Sequence, residues 1–166
     1  IVNPGGVSTA PMGVILDHDH CTIRACTIEG TVRCGIYVIG ESEGHRILEN
    51  DIVDNLSLGL GFIQGGVGSR VEGNLIARNV IGVEYDAPGG DMGGGAAGSA
   101  GGNVLCCNSQ VDLWTIDALL TIDVANNAWD HTTPVVGPNG GGSDIFNPNG
   151  STIVTTGSTL APTPCP

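Results

Sequence analysis

The sequence predicts an all-β fold, a right-handed parallel β-helix of about five rungs with an extended C-terminal tail, and three observations predict it. A six-residue frame returns at a fixed period of 24: Cys26-Thr-Ile-Glu-Gly-Thr31, Asn50-Asp-Ile-Val-Asp-Asn55 and Asn74-Leu-Ile-Ala-Arg-Asn79, with Asn103-Val-Leu-Cys-Cys-Asn108 after an insertion. A second register keeps the same rhythm, since Gly13-Val14, Gly35-Ile36, Gly59-Leu60 and Gly82-Val83 each open a short apolar run. The third observation is composition: with 28 Gly and only 2 Trp, 2 Tyr and 2 Phe, the core must be built from Ile, Val, Leu and Ala.

The period defines the rung. Repeats of this kind stack at the strand spacing of about 4.8 Å, so equivalent residues lie above one another. Ile28, Ile52, Ile76 and Leu105 then form an interior column. Asn50, Asn74 and Asn103 form a second column, and Asn55, Asn79 and Asn108 a third. Asparagine suits bends, where it tolerates left-handed backbone and hydrogen-bonds its neighbours in the stack. Leucine-rich repeats need L-x-x-L-x-L and helical repeats a 3.6-residue period, and neither pattern occurs.

Along the chain, residues 1–130 read as the β-helix, with 1–12 irregular and 13–16 matching the end of a rung. The segment 86–102 is a Gly-rich insertion without aromatic or cationic groups, expected as a mobile surface loop. One further rung follows, and Trp129 is expected to plug the open end. Residues 131–166 form a Thr/Pro/Gly-rich tail in which 152–156 reads as a short strand. Cys165 is placed to staple that tail to the body.

Charge restricts partners. Seventeen acids face five arginines and no lysine, a net charge of −12 with a pI near 4.3. Nucleic acid and anionic membranes both require a basic face, so they are excluded as partners. No run of about 18 apolar residues occurs, so no membrane insertion is expected. Divalent cations and neutral partners remain. The six cysteines, Cys21, Cys26, Cys34, Cys106, Cys107 and Cys165, contain no C-x-x-C pair and so no zinc-ribbon or thioredoxin motif. They read as disulfide candidates of an extracellular or cell-surface protein, with the pairing left open.

The N-x-I-x-x-N-x-x-x-G-[IV] rhythm, closed by Ile122-Asp-Val-Ala-Asn-Asn-Ala-Trp-Asp130, resembles the right-handed parallel β-helix proteins of the pectate-lyase-like superfamily. It is similar in particular to bacterial secreted β-helix repeat proteins with a terminal N-N-x-W segment, over roughly residues 13–130. The resemblance implies a fold and leaves the chemistry open, because lyases, hydrolases, adhesins and structural proteins share that fold. Lyases of this class carry Ca²⁺-binding acids with an Arg or Lys base, and polygalacturonases carry N-T-D, D-D and G-H-D motifs. Here only Gly44-His45-Arg46 resembles a fragment of one. Tyr37, Phe62, Tyr85 and Trp114 read as core or wall residues rather than a sugar platform.

The densest polar cluster is Asp17-His18-Asp19-His20. The period places Glu41 next to Asp17 and Glu43 next to Asp19 on the neighbouring rung, two acidic columns about 5 Å apart. Ca²⁺ is the candidate cofactor that would relieve their repulsion. His18 and His20 share one strand face and add a transition-metal alternative; ordinary solvated acids on a bend are the plain alternative. Asp54 and Arg78 should pair across rungs.

The leading expectation is a non-catalytic secreted or cell-surface structural β-helix. It would self-associate head to tail into filaments, or act in adhesion, through an edge at Val14, Ile15 and Leu16. That edge expects either further rungs upstream or a second copy. The alternative is a carbohydrate-active or glycan-binding β-helix module with a Ca²⁺ site.

Overall fold

The computed structural model describes residues 11–117, 120–137 and 142–166. The expected irregular start of the chain lies, for residues 1–10, outside them.

The first pass of chain makes β1 (Met12–Leu16), β2 (Thr22–Arg24) and β3 (Thr27–Glu29). The second repeats this as β4 (Cys34–Val38), β5 (Arg46–Leu48) and β6 (Asp51–Val53), and the third as β7 (Leu58–Phe62), β8 (Arg70–Glu72) and β9 (Leu75–Ala77). The fourth makes β10 (Ile81–Tyr85) and β11 (Val104–Cys106); the fifth makes β12 (Val111–Thr115), β13 (Thr121–Asp123) and β14 (Ala128–Trp129). The last makes β15 (Ile145–Phe146), β16 (Thr152–Val154) and β17 (Thr159–Leu160). Equivalent strands pair in parallel, giving two six-stranded sheets, β1-β4-β7-β10-β12-β15 and β3-β6-β9-β11-β14-β17. The third side carries β2-β5-β8 and β13-β16. This is a parallel β-helix, and among the described residues no helix forms.

The tail joins the stack. β15, β16 and β17 pair with β12, β13 and β14, so part of the expected extended segment continues all three sides. Trp129 is therefore not a plug at an open end: it pairs with Leu160 on the next strand and its side chain is fully buried. Cys106 and Cys165 form a disulfide, and Arg78 Nη1 donates to the Pro166 carbonyl. The staple inferred for Cys165 exists. The other candidates, Cys21, Cys26, Cys34 and Cys107, are free thiols. Cys34 is enclosed against β7, where burial pushes its thiol up to about 12, while Cys26 is exposed.

The Gly-rich segment is not a loop swung away from the body. Val71 donates its N–H to the Asp91 carbonyl and Met92 donates to the Asp123 carbonyl, linking β8 to β13 across the level where a strand is missing. Met92 is fully buried in the core. The Asp91 carboxylate organises the rest, accepting Gly93 and Gly95 N–H groups on Oδ1 and the Ser99 N–H on Oδ2. One carboxylate thus satisfies three backbone donors that a mobile loop would leave to water.

The asparagine columns are buried ladders. Nδ2 of Asn50 donates to Asn74, Asn74 to Asn103, and Asn103 to Asn127, each at 2.9 Å. Asn55 donates to Asn79 at 2.9 Å and Asn79 to Asn108 at 3.1 Å. Each accepting Oδ1 also takes the backbone N–H of the donor asparagine, as Asn74 does from Asn50. The expectation that asparagine itself adopts the left-handed bend is corrected for these ladders. The residue before each does so: Glu49, Asp54, Gly73, Arg78, Gly102, Cys107 and Asn126, with φ between 55° and 73°. That residue turns the chain, and the asparagine after it points inward to hold the bends of adjacent coils together. On the surface Arg78 meets Asp54 at 2.9 Å, as the period predicts.

Candidate functional site

The site follows from a column that changes its residue type. The strand pairings align Gly13, Gly35, Gly59 and Gly82. A Cβ on Gly59 would lie 2.7 Å from the Gly82 carbonyl oxygen and 2.8 Å from Asn79 Nδ2. A Cβ on Gly82 would meet Asn108 Nδ2 at 2.8 Å. The amide of the next ladder asparagine occupies the space, so these positions take glycine. This ladder ends at Asn108, because the position 24 residues on is Thr132. From there the column holds acids. Pairing of Ile81 with Val111 and Val83 with Leu113 sets Asp112 over Gly82, and pairing of Leu113 with Ile145 sets Asp144 over Asp112.

Both aspartates are buried, with 2 % and 1 % of their surface exposed. Asn108 Nδ2 donates to Asp112 Oδ1 at 2.7 Å, whereas Asp112 Oδ2 is buried without a hydrogen-bond partner among the described residues. Asp144 meets His131 Nδ1 at 2.9 Å and accepts the Val135 N–H at 2.6 Å. Asp130, exposed, accepts the Cys107 N–H at 2.9 Å. Carboxylate oxygens of Asp112, Asp130 and Asp144 lie within 4.8 Å of one another. They line a cleft of about 70 Å³ that also includes Gln110 and Ser143. Burial, reinforced by the charges of Asp130 and Asp144 and opposed by the Asn108 hydrogen bond, pushes the Asp112 carboxyl up to about 8. The sequence reading missed this cluster. No fixed spacing marks it, because the steps from Gly82 to Asp112 and on to Asp144 depart from the period of 24, and the column emerges only in the strand pairings.

The residues expected to bind metal lie at the other end. Asp17 and His18 are exposed and meet each other at 2.7 Å, which holds the Asp17 carboxyl below and the His18 imidazole above their ordinary values. Asp19 Oδ1 accepts the Glu43 N–H, and the Glu43 carbonyl accepts the His20 N–H, so these coils are in the expected register. Glu41 and Glu43 line a shallow cleft with Gln64 and Pro88. His45 is buried and bonds Ser42 through Nε2 at 3.1 Å. Among the described residues, the acids whose oxygens converge are those at 112, 130 and 144 rather than those at 17, 19, 41 and 43.

The aromatic residues divide. Phe62 and Tyr85 are buried and stacked at 5.0 Å, as core residues. Tyr37 and Trp114 are half-buried and alternate with interior residues, so they face outward. One register line along this face reads Ile15, Tyr37, Gly61, Glu84, Trp114 and Phe146, with the last two in edge contact at 5.5 Å. A groove of about 170 Å³ here is lined by Tyr37, Arg33, Glu84 and Asp86, among others. Burial, helped by Asp86, raises the Glu84 carboxyl.

A family model described as "Protein of unknown function (DUF1565)" matches residues 1–136, and the chain belongs to that family. No curated protein and no solved structure matches the chain.

Proposed function

We propose that this member of the DUF1565 family is a non-catalytic structural β-helix of the cell exterior, of the pectate-lyase-like type, that stacks end to end or holds an adhesive surface. One observation carries the reading: the repeat's buried polar side chains are committed to the stack itself. The two asparagine ladders use both amide donors and acceptors between coils and hold nothing back for a substrate. Such a stack is a rigid rod whose length depends on the number of coils. The disulfide at Cys165 suits an oxidising exterior. Sedimentation velocity over a wide concentration range, with negative-stain electron microscopy, tests the assembly. Concentration-dependent oligomers or filaments support it, and a monomer at every concentration removes end-to-end stacking from the reading.

A second reading is favoured by the outer register line. Tyr37, Trp114 and Phe146 are side chains on which sugar rings stack, and Glu84, Asp86 and Arg33 supply hydrogen-bonding groups beside Tyr37. The chain would then bind glycans along this face. A glycan-array and polysaccharide-turnover screen distinguishes the two. Binding lost in Trp114→Ala favours the glycan module, and chain cleavage overturns the non-catalytic assignment.

A further inference from the structure

We propose that Asp112, Asp130 and Asp144 form a Ca²⁺ site that ties the last coil of the β-helix to the coil before it. This inference stands apart from the functional reading above, since a structural rod and a glycan-binding module would use the site in the same way.

Three carboxylates converge with oxygens within 4.8 Å, and the cleft's lining opposes them with one imidazole, that of His131. Two of the three are removed from water, on adjacent positions of one column. Once both are ionised, Asp112 and Asp144 offer only acceptors and cannot hydrogen-bond each other as the asparagines do. The second observation is the Asp112 Oδ2 atom. It is buried, has no hydrogen-bond partner among the described residues, and belongs to a side chain lining the cleft. Buried polar atoms are nearly always satisfied, and a bound cation satisfies this one while cancelling the repulsion around it.

The donor set selects the ion. Carboxylate oxygens suit a hard cation, and Ca²⁺ accepts irregular arrangements of six to eight oxygens, whereas Mg²⁺ demands a near-ideal octahedron. The ligands come from β12, from the residue after β14 and from the residue before β15. An ion there joins three segments of two successive coils. It sits near the Cys106–Cys165 disulfide, because Asp130 holds the N–H of Cys107.

The test is a Ca²⁺ titration of the EDTA-treated full chain, followed by thermal unfolding and calorimetry. At about a hundredfold excess over its dissociation constant, Ca²⁺ should raise Tm by roughly 5–10 °C. Asp112→Asn and Asp130→Asn should each weaken binding by about tenfold or more, because affinity follows the charge of the ligand set. The double variant Asp17→Asn/Asp19→Asn should bind as the wild type does. Without cation, Asp112→Asn should keep or raise Tm, since the amide cannot ionise and retains the acceptor for Asn108. If Asp112→Asn does not fold, the exposed Asp130→Asn decides alone. No Ca²⁺-dependent rise in Tm, unchanged affinity in Asp130→Asn, or loss in the Asp17/Asp19 variant instead would each overturn the proposal.

Discussion

The first four coils and the last two fill the same backbone slot in opposite ways. In the early coils the slot is Gly13, Gly35, Gly59 and Gly82, and from Gly35 onward the amide of the next ladder asparagine lies over the missing Cβ. In the last two the ladder has stopped and the slot holds Asp112 and Asp144. An amide column is self-sufficient, because each side chain has a donor for one neighbour and an acceptor for the other. A carboxylate column is not, and it must take its partners from elsewhere: Asn108, His131, the Val135 backbone, and on our proposal a cation. At the glycines the slot is closed by the next coil, through a backbone carbonyl at all four and a ladder amide from Gly35 onward.

Cutting a ladder gives the largest effect. Asn79→Ala leaves the Asn55 amide, the Asn55 backbone N–H, the Ile52 carbonyl and Asn108 Oδ1 short of partners. At 1–3 kcal/mol for each unsatisfied buried group, partly relieved by relaxation, the expected loss is about 3–5 kcal/mol. Denaturant unfolding measures it. The comparison breaks if Asn79→Ala proves as harmless as the cation-free Asp112→Asn is expected to be.

Next comes the disulfide. Cys106 and Cys165 are 59 residues apart, and removing the cross-link by Cys165→Ser should cost about 2–4 kcal/mol. The loss should concentrate in the last coils. Hydrogen exchange is expected to show faster opening of β15–β17, with β4–β10 protected as before. Uniform loss of protection would mean that the two regions unfold as one unit, which erases the distinction.

Gly59→Ala tests the slot directly. The added methyl meets a backbone oxygen at 2.7 Å and the Asn79 side-chain amide at 2.8 Å, which its ladder hydrogen bonds hold in place. Overpacking of this kind costs about 1–3 kcal/mol. Thermal unfolding beside Asp112→Ala, where the ladder no longer crowds the slot, sharpens the contrast. Equal tolerance at both positions would remove the steric account of the glycine column.

The fold was legible because stacking writes itself into the sequence as a period. Ile28, Ile52 and Ile76 pair in the register that their spacing of 24 demands, and so do Asp54 and Arg78. The acidic cluster was not legible by the same method. The insertion at 86–102 lengthens the step from Gly82 to Asp112, the chain after Asp112 lengthens the step to Asp144, and only the strand pairings restore the column. The Gly-rich segment misled for a different reason. Its order comes from one buried carboxylate, Asp91, bonded to backbone N–H groups, and composition carries no trace of that.

The smallest effect lies on the outer face, away from both columns. Glu84 is half-buried beside Asp86, and burial, then that neighbouring charge, raises its carboxyl above the ordinary value. The fold therefore holds this proton more tightly than the unfolded chain does. Its contribution to stability is full below the ordinary carboxylate pKa and is lost as the pH rises through the raised value. Near pH 7 the ionised side chain works against the fold, so Glu84→Gln should raise Tm by about 1–3 °C there and change it little near pH 4. Melting curves at the two pH values measure the difference. A fall in Tm at the higher pH would mean that the charge on Glu84 has a favourable partner on this face, with Arg33, across the groove, the first to examine.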